Sequence, residues 1–362
     1  MRGAGRSLLS TEVPTEHGDL VRTATSGSTG TPIEVVKTRL EQLFWRALGL
    51  REEVWHRRDW RLKLAVIRGR LPQPAPYPEG LELPNWGAPV GTVFATAPVA
   101  ALDLRTDIRL QAQWLQRQQP DYLYTYGSNL VFLAEEFRSR GWSLTTLREV
   151  RSFGDAVDAA SRQLCREVFG VGITDTYSCD EAGYLAFECP EFGRFHMQME
   201  GGLVEILDRN GRPCAPGETG RVVVTPLHNY AMPLIRYDLG DLAEVGPPCP
   251  CGRGLGVLSR IRGRARDLVR LPTGEMRYAF QTPSKLVPIE SIIRYQVAQT
   301  SLDLLEVRLV ASRPLTPAEE DAFRAAVIEN FGFEFRFRFV YVADIPRAPS
   351  GKYFVFRSEL PG

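Results

Sequence analysis

This sequence has almost no net charge, no long apolar run and very little lysine. The first two features exclude whole classes of function. The 362 residues carry a formal charge of only +1, whereas binding to nucleic acid or to an anionic membrane needs a basic excess or patch. No apolar run is long enough for a secretory segment or a membrane-spanning helix. We therefore expect a cytoplasmic protein whose partner is a small molecule, with no nucleic acid and no membrane involved.

Lysine accounts for only four of the 44 basic residues, at positions 37, 63, 285 and 352. A compact ammonium group does chemistry that a guanidinium group does not, so each lysine in such a background is a candidate for function. Chance is the simpler explanation for the first three. Lys352 follows the loop-forming stretch PSG near the carboxyl end, where it can be presented to a ligand. The alternative is an exposed lysine of the tail.

Cysteine occurs six times, and in a chain expected to be cytoplasmic its thiols should be reduced, buried or metal-bound. Cys189 and His196 form a C-x6-H pair, and Cys249 and Cys251 form C-x-C. Three thiolates and one imidazole would make a closed, tetrahedral zinc site of the structural kind. The alternative is a set of buried thiols with a surface histidine.

Hydrophobic periodicity predicts two kinds of sheet and a smaller unit at the carboxyl end. Helical and strand patterns alternate through residues 39–179, which is typical of a parallel α/β sheet. Two alternating strands with DRNG and GETG turns, within residues 202–227, indicate antiparallel β structure. The proline- and glycine-rich stretch 69–89 predicts an irregular loop. Residues 301–345 show a compact β-α-β pattern.

These patterns together predict an α/β protein of two domains, which also suits the length of the chain. The large N-terminal domain should cover residues 1–265 and combine a parallel α/β sheet with an antiparallel β lobe. Residues 266–362 should form a small C-terminal domain of the α+β type.

A loop rich in glycine and hydroxyl side chains lies before the first amphipathic helix, in TATSGSTGTPIEV. Its glycines free backbone amides to face an anion, and its hydroxyl groups add donors. The residues concerned are Thr25, Ser26, Gly27, Ser28, Thr29, Gly30 and Thr31. The Walker pattern GxxxxGK[ST] is absent. The sequence therefore predicts a different kind of polyphosphate cradle, with a solvent-exposed Ser/Thr linker as the alternative.

Five motifs in order, TSGSTGTP, DTYSCDE, RYDLGD, IRGRARD and PRAPSGK, resemble the adenylate-forming superfamily. This superfamily includes acyl-CoA synthetases, peptide-synthetase adenylation domains and luciferases. The segments FECPEFGRFHM, PLIRYDLGDL and CPCGR are most similar to its phenylacetate-CoA ligase and capsule-protein branch. The resemblance spans Thr23 to Lys352. It implies ATP-dependent activation of a carboxylic acid, and the branch favours an aromatic one.

The resemblance implies how ATP would be held. The loop Thr25–Thr31 would bind its β- and γ-phosphates, and Glu181 would hold Mg²⁺ through hard carboxylate oxygens. Tyr177 would stack on adenine, with Asp175 near the adenine amino group. The other nucleotide-binding positions are Ser178, Asp241 for the ribose hydroxyls, and Arg264 for ribose or phosphate. Alternatives are a core aromatic for Tyr177, a turn residue for Asp241, a solvated cation for Arg264 and a helix N-terminal acid for Glu181.

The resemblance also implies how the acid would be activated. Lys352 would reach the α-phosphate and the substrate carboxylate, then leave as the mobile small domain swings about a hinge at Arg266 or Asp267. The acyl pocket would be lined by Tyr126, Ser128, Phe153 and Gly154, although Phe153 is also explained as a core residue.

The sequence departs from the family pattern at several positions. Ser178 stands where glycine is usual, and Asp180 stands where a phosphate-contacting hydroxyl is usual. FGDAV replaces the usual Gly-Glu, and few residues precede the phosphate loop. A carboxylate at position 180 would repel a triphosphate unless a metal lay between them.

The leading hypothesis is a ligase that forms an acyl-AMP and passes the acyl group to the thiol of CoA or of a carrier-protein phosphopantetheine. A second hypothesis transfers the acyl group to an amine or hydroxyl. A third is a nucleotide-binding regulator or scaffold with impaired chemistry. The partners would be a small carboxylic acid, an acyl carrier protein if that is the acceptor, and a second copy of the chain if it dimerises as many relatives do.

Overall fold

The first described elements are a β-hairpin and a long helix. The computed structural model describes residues 8–24, 34–155, 157–264, 268–278, 289–346 and 353–360. After a 3-10 turn at Thr15–His17, strands β1 (Leu20–Ala24) and β2 (Glu34–Thr38) pair antiparallel. Helix α1 (Arg39–Trp55) follows, because the Thr38 side chain caps it by accepting a hydrogen bond from the Glu41 amide. The predicted phosphate loop connects β1 to β2 in the chain and lies outside the described residues.

Twelve of the described strands form one mixed sheet. Its first half contains β3 (Leu64–Arg68), β4 (Leu81–Leu83), β5 (Val99–Asp103), β6 (Tyr122–Tyr126), β7 (Glu149–Phe153) and β8 (Ile173–Cys179). Its second half contains β9 (Gly183–Glu188), β10 (Phe195–Met197), β11 (Gly202–Leu207), β12 (Thr219–Pro226), β13 (Tyr237–Val245) and β14 (Val257–Arg264). The spatial order is β11-β12-β13-β14-β10-β9-β8-β7-β6-β3-β5-β4.

The two halves of this sheet differ in pairing, as the sequence patterns predict. Strands β5, β3, β6, β7 and β8 run parallel, whereas each neighbouring pair from β8 to β11 is antiparallel. The prediction of an irregular loop over residues 69–89 is wrong in one place. Leu81–Leu83 is extended and pairs antiparallel with β5 as the edge strand β4, because an edge position tolerates the prolines on either side.

Helices pack against the parallel half and bury a large apolar core. They are α2 (Val90–Val93), α3 (Ile108–Gln118), α4 (Gly127–Arg140) and α5 (Ala159–Phe169). Trp114 of α3, Leu130 and Phe137 of α4 and Val150 of β7 are completely buried there. Full burial of one such side chain contributes about 1.5–3 kcal/mol. This core gives the carboxyl ends of the parallel strands a rigid base.

The C-terminal elements form a separate small sheet with its own core. The hairpin of β15 (Leu268–Arg270) and β16 (Met276–Tyr278) precedes it. The sheet has the order β19-β18-β17-β20, and its elements are β17 (Ile292–Ser301), β18 (Leu304–Ala311), α6 (Pro317–Phe331), β19 (Arg336–Tyr341) and β20 (Phe356–Ser358). Strands β18 and β19 run parallel with α6 between them in the chain, which confirms the predicted β-α-β unit.

The small sheet packs on α6 and also touches the large domain. Phe323, Val327 and Phe331 of α6 are fully buried in its core. Tyr353 contacts Phe132 of α4 edge-on, with ring centres 5.4 Å apart. The predicted boundary between residues 265 and 266 lies outside the described ranges, so it stays a prediction. Within those ranges, no helix has the length and apolar character needed to cross a bilayer.

Candidate functional site

The carboxyl ends of β6, β7 and β8 collect, at one edge of the large sheet, most of those predicted acid- and nucleotide-binding residues that the structure describes. Parallel strands end at the same edge, and ligands of open α/β sheets bind outside it. Strand β8 is also where pairing changes from parallel with β7 to antiparallel with β9. This edge is the candidate functional site.

Two predicted nucleotide-binding residues, Tyr177 on β8 and Asp241 on β13, meet at this edge. The Tyr177 hydroxyl donates a hydrogen bond to Asp241 Oδ2 at 2.8 Å, and both residues are buried. Three strands separate β8 from β13 in the sheet order, a distance of about 19 Å in a flat sheet. The sheet must therefore curl, so that its antiparallel half closes over Tyr177.

Asp241 is held by its backbone as well as by this hydrogen bond. Gly240 before it has a φ of +73°, a left-handed conformation that favours glycine. Asp241 lies opposite Arg264 in the pairing of β13 with β14. The two predicted ribose contacts are therefore neighbours along the sheet, although the Arg264 side chain lies outside the described part of the chain.

Glu181 lies in the tight turn between β8 and β9, next to Asp180 and just beyond Ser178. The turn joins two strands, so the alternative of a helix N-terminal acid is wrong for Glu181. Glu181 is mostly buried. Burial, together with the nearby Glu181 carboxylate, raises the pKa of the Cys179 thiol well above its ordinary value. The thiol therefore stays neutral and adds no second negative charge beside Glu181.

Asp175 is buried behind the edge and already has partners inside the protein. Its Oδ1 accepts hydrogen bonds from Ser152 Oγ at 2.5 Å and from the Thr176 amide at 2.9 Å. Its own amide donates to Glu188, which forms an ion pair with Arg162. Burial raises the pKa of Asp175 to about 7. These contacts anchor β8 to its neighbours, and a role toward adenine stays a prediction.

The four predicted acyl-pocket residues come together at the ends of β6 and β7. The rings of Tyr126 and Phe153 are tilted against each other with centres 4.4 Å apart. Gly154 turns the chain with a φ of +79°. The Ser128 hydroxyl, in the first turn of α4, donates to Asp155 at 2.7 Å. The sequence does not single out the supporting residue Asp155.

A second site, which we call the thiol cluster, consists of Cys189, His196, Cys249 and Cys251. One ligand atom from each lies within 4.8 Å of the others. The Sγ atoms of Cys249 and Cys189 are 3.9 Å apart, and Cys251 Sγ is 3.2 Å from His196 Nε2. Metal–sulfur bonds of about 2.3 Å in a tetrahedron put sulfur atoms about 3.8 Å apart. The geometry therefore fits the predicted ligand set for zinc.

The elements around the thiol cluster explain how distant residues meet. Cys189 follows β9 and His196 lies on β10, whereas Cys249 and Cys251 lie in the loop from β13 to β14. His196 is 0% exposed, so the alternative of a surface histidine is wrong. Its ring packs edge-on against Trp55, and Nδ1 is buried with no hydrogen-bond partner among the described residues.

A cation lies beside the thiol cluster. The Arg253 guanidinium is 3.6 Å from Cys189 Sγ and lies over the Trp55 ring. Three thiolates around a divalent ion leave one net negative charge, which this arginine would offset. The sequence pattern does not single out Arg253, although its place two residues after C-x-C is a signal for it.

Several predicted residues lie outside the described part of the chain. They are the phosphate loop Thr25–Thr31, the hinge residues Arg266 and Asp267, and Lys352. Their roles stay predictions.

Lys37, for which chance is the simpler explanation from the sequence, is completely buried. It pairs with Glu41 at 3.2 Å, and its ammonium lies 3.9 Å from the centre of the Trp45 ring. It ties β2 to α1, directly after the predicted loop.

Comparison with known proteins agrees with this architecture. Residues 278–359 match the family described as the CapK C-terminal domain. The chain is 31% identical over 215 residues to phenylacetate-coenzyme A ligase of Thermus thermophilus, covering 56% of this chain and 48% of that enzyme. It is 26% identical over 214 residues to the Escherichia coli enzyme of the same name, covering 55% and 47%. The matches thus span about half the length of these relatives.

Solved structures extend the likeness to nearly the whole chain. A 2-hydroxyisobutyryl-CoA ligase in the postadenylation state matches with a TM-score of 0.68 and 20% identity, covering 96% of this chain and 75% of that one. An anthranilate CoA ligase in complex with anthranoyl-AMP matches with a TM-score of 0.62 and 16% identity, covering 93% and 66%. These findings confirm the fold and the resemblance to the adenylate-forming superfamily and its phenylacetate-CoA ligase and capsule-protein branch.

Proposed function

We propose that this chain activates a small carboxylic acid with ATP, forms an acyl-AMP and then transfers the acyl group to a thiol. The similarity to phenylacetate-coenzyme A ligases supports this class of reaction. The observation that carries the proposal is the hydrogen bond from Tyr177 to Asp241. This hydrogen bond joins two residues that are predicted to contact the nucleotide and that lie on distant strands. It lies at the edge where α/β sheets bind ligands.

The first step brings two anions together, so it needs charge neutralisation and alignment. A carboxylate oxygen attacks the α-phosphorus of ATP, and the bond from that phosphorus to pyrophosphate breaks. In the second step the sulfur of CoA or of a carrier-protein phosphopantetheine attacks the acyl carbon. The bond to AMP breaks and the thiol proton is released. The Lys352 ammonium would neutralise the α-phosphate and the carboxylate in the first step.

The described residues would orient the nucleotide. The Tyr177 ring would stack on adenine, while its hydroxyl, bonded to Asp241, would hold that carboxylate in place for the ribose hydroxyls. Glu181 offers hard oxygens for Mg²⁺, which would screen the phosphate charges from Asp180. Tyr126 and Phe153 would cover the acyl group with their rings.

The small domain would deliver Lys352. We assign residues 266–362 to this domain and place its hinge at Arg266 and Asp267. The match of residues 278–359 to a C-terminal domain family supports the assignment. Tyr353, the first described residue after Lys352, contacts Phe132 of α4 in the large domain.

The thiol cluster would hold a structural zinc ion. Its four ligands leave no open position for a substrate, so the ion would stabilise the protein without taking part in the reaction. It would pin the loop from β13 to β14 against β9 and β10. Because β13 carries Asp241, the ion would also fix the antiparallel half of the sheet over Tyr177.

Exchange of labelled pyrophosphate into ATP tests the first step. The full chain is assayed with a panel of aryl and alkyl acids, and we expect exchange that depends on the acid. Lys352→Ala should reduce this exchange by about 100-fold or more, because it removes the charge that stabilises the transition state. Added CoA should then give a thioester, whereas a panel of amines and alcohols tests the other acceptors.

Lys63→Ala is the matched control, since the Lys63 ammonium donates to the Gln118 carbonyl at the opposite end of β3. It should leave the exchange rate nearly unchanged. Undiminished exchange in Lys352→Ala would contradict the role given to this lysine. ATP binding without exchange for any acid would favour a nucleotide-binding regulator instead.

A further inference from the structure

Arg68, the last residue of β3, has a guanidinium group with no partner in the described part of the chain. Its Nε is buried and makes no hydrogen bond. Its guanidinium carbon lies 5.6 Å from the centre of the Phe153 ring. The side chain as a whole is half-buried. A buried N–H group without a hydrogen bond is costly, so this Nε–H marks Arg68 as a candidate for binding an acceptor that enters the site.

Two other arginines, Arg151 on the sheet and Arg58 in the connection between α1 and β3, show how this protein satisfies buried guanidinium groups. Arg151 on β7 lies over the Tyr124 ring, as Arg68 lies over Phe153, but it also pairs with Glu53 at 2.6 Å. Arg58 pairs with Glu52 at 2.7 Å. Both have carboxylates of this chain as acceptors. Arg68 has no such carboxylate among the described residues, which is compatible with an acceptor supplied by a ligand.

The surroundings of Arg68 indicate what that acceptor belongs to. The Phe153 ring lies between those of Tyr124 and Tyr126, with centres 4.5 and 4.4 Å away. Aromatic faces stack well on a flat ring. The other charged groups near the Tyr126 phenol are Arg70, Asp155 and Asp180, and Asp155 already accepts a hydrogen bond from the Ser128 hydroxyl.

We propose that Arg68 determines acid specificity in the acyl pocket by binding a second carboxylate at the far end of a ring-bearing acid. The reacting carboxylate would remain free for Lys352. A planar guanidinium group can grip a carboxylate with two parallel hydrogen bonds, while the ring stacks beside Phe153. This inference rests on the proposed function, because it takes the acid-binding pocket of that proposal as its location.

Calorimetric titration of the full chain tests the inference without any turnover. The probes are terephthalate against benzoate, and 4-carboxyphenylacetate against phenylacetate. We expect the wild type to bind each diacid about 10-fold to 100-fold more tightly than its monoacid partner. Arg68→Gln should abolish this preference. Arg68→Lys should keep part of it, because the charge remains but the two-pronged geometry is lost.

Arg105→Gln is the matched control, because it removes an exposed arginine just beyond the neighbouring strand β5. It should keep the full preference for the diacids. Equal affinity of the wild type for both members of each pair, or an unchanged preference in Arg68→Gln, would overturn the inference. So would tighter binding of 4-hydroxybenzoate than of terephthalate, or no binding of any probe. Titration measures binding of the acid, whereas pyrophosphate exchange measures its activation. Failure of this inference can therefore be told apart from failure of the proposed reaction.

Discussion

Two buried clusters of polar side chains in the large domain differ in whether the chain itself supplies the interaction partners of their atoms. One is the carboxylate network, made of Glu52, Glu53, Arg58, Glu149 and Arg151, and the other is the thiol cluster. In the network, Arg58 donates to both oxygens of Glu52 and both oxygens of Glu149, all at 2.7–2.8 Å. Arg151 adds bonds to Glu52 and Glu53. Negative and positive groups of the same chain thus supply one another's main partners, although Glu53 Oε2 makes no hydrogen bond among the described residues.

The thiol cluster offers only electron-pair donors, with no cation of the chain at its centre among the described residues. Its three sulfurs and one ring nitrogen converge on a common point, and the nearby Arg253 reaches only the outside of the group. Where the chain supplies only one side of an interaction, we therefore expect a partner from outside the chain. The same reasoning applies to Arg68, whose guanidinium group has no carboxylate partner among the described residues.

The largest effect should follow removal of a ligand from the thiol cluster. Purified protein should contain about one zinc ion per chain, and Cys249→Ser should lower this to less than about one in five. Loss of a structural metal belongs with the most destabilising changes, so we expect the free energy of unfolding to fall by more than about 4 kcal/mol. Metal analysis and denaturant unfolding measure the two quantities. Cys214→Ser, outside the cluster, is the control.

Zinc content near zero in the wild type would contradict the assignment. A variant that loses zinc but keeps its full stability would instead contradict the structural role of the ion.

A somewhat smaller effect should follow disruption of the carboxylate network. Arg58→Gln leaves Glu52 and Glu149 buried without their main counter-charge, so unfolding should become easier by about 3–5 kcal/mol. Arg61→Gln removes an arginine from an exposed pair with Asp59 and should change the stability far less, because solvent screens this pair. Denaturant unfolding of both variants gives the comparison. Equal losses of unfolding free energy in the two variants would contradict a larger contribution from the buried network than from the exposed pair.

A further contrast should appear in the pH dependence of stability. Burial alone would raise the pKa of Glu52, but Arg58 and Arg151 outweigh it and lower this pKa from 4.5 to about 2. The stabilisation from Glu52 is therefore present above about pH 4.5 and is lost as the pH falls toward 2. Burial of Asp175 dominates and raises its pKa from 3.8 to about 7. The contribution of Asp175 should therefore decline as the pH rises from 4 to 7.

Asp175→Asn separates the two carboxyl groups, because an amide does not titrate. Relative to this variant, the wild type should lose stability between pH 4 and pH 7 and then show a constant difference. Unfolding free energies measured at several pH values give the curve. A constant difference across the whole range would mean that Asp175 has an ordinary pKa in the folded protein.

Local signals in the sequence predict much of the fold. Gly141 ends α4 in a left-handed conformation, and Thr316 with Glu319 forms a capping box at the start of α6. These features depend on residues within one helical turn, so they are visible without the rest of the chain. The edge strand β4 is not visible in this way, because its pairing with β5 depends on residues about 20 positions away.

The order of the motifs, and the types of residue that could bind phosphate, ribose and zinc, were determined by the sequence alone. Packing of the whole domain is needed to bring Tyr177 to Asp241, to make four ligands from two separate segments converge, and to leave Arg68 Nε without an acceptor among the described residues. The reason is physical. Residue type and short-range geometry are local properties, whereas curling of the sheet and satisfaction of a buried charge depend on packing summed over the whole domain.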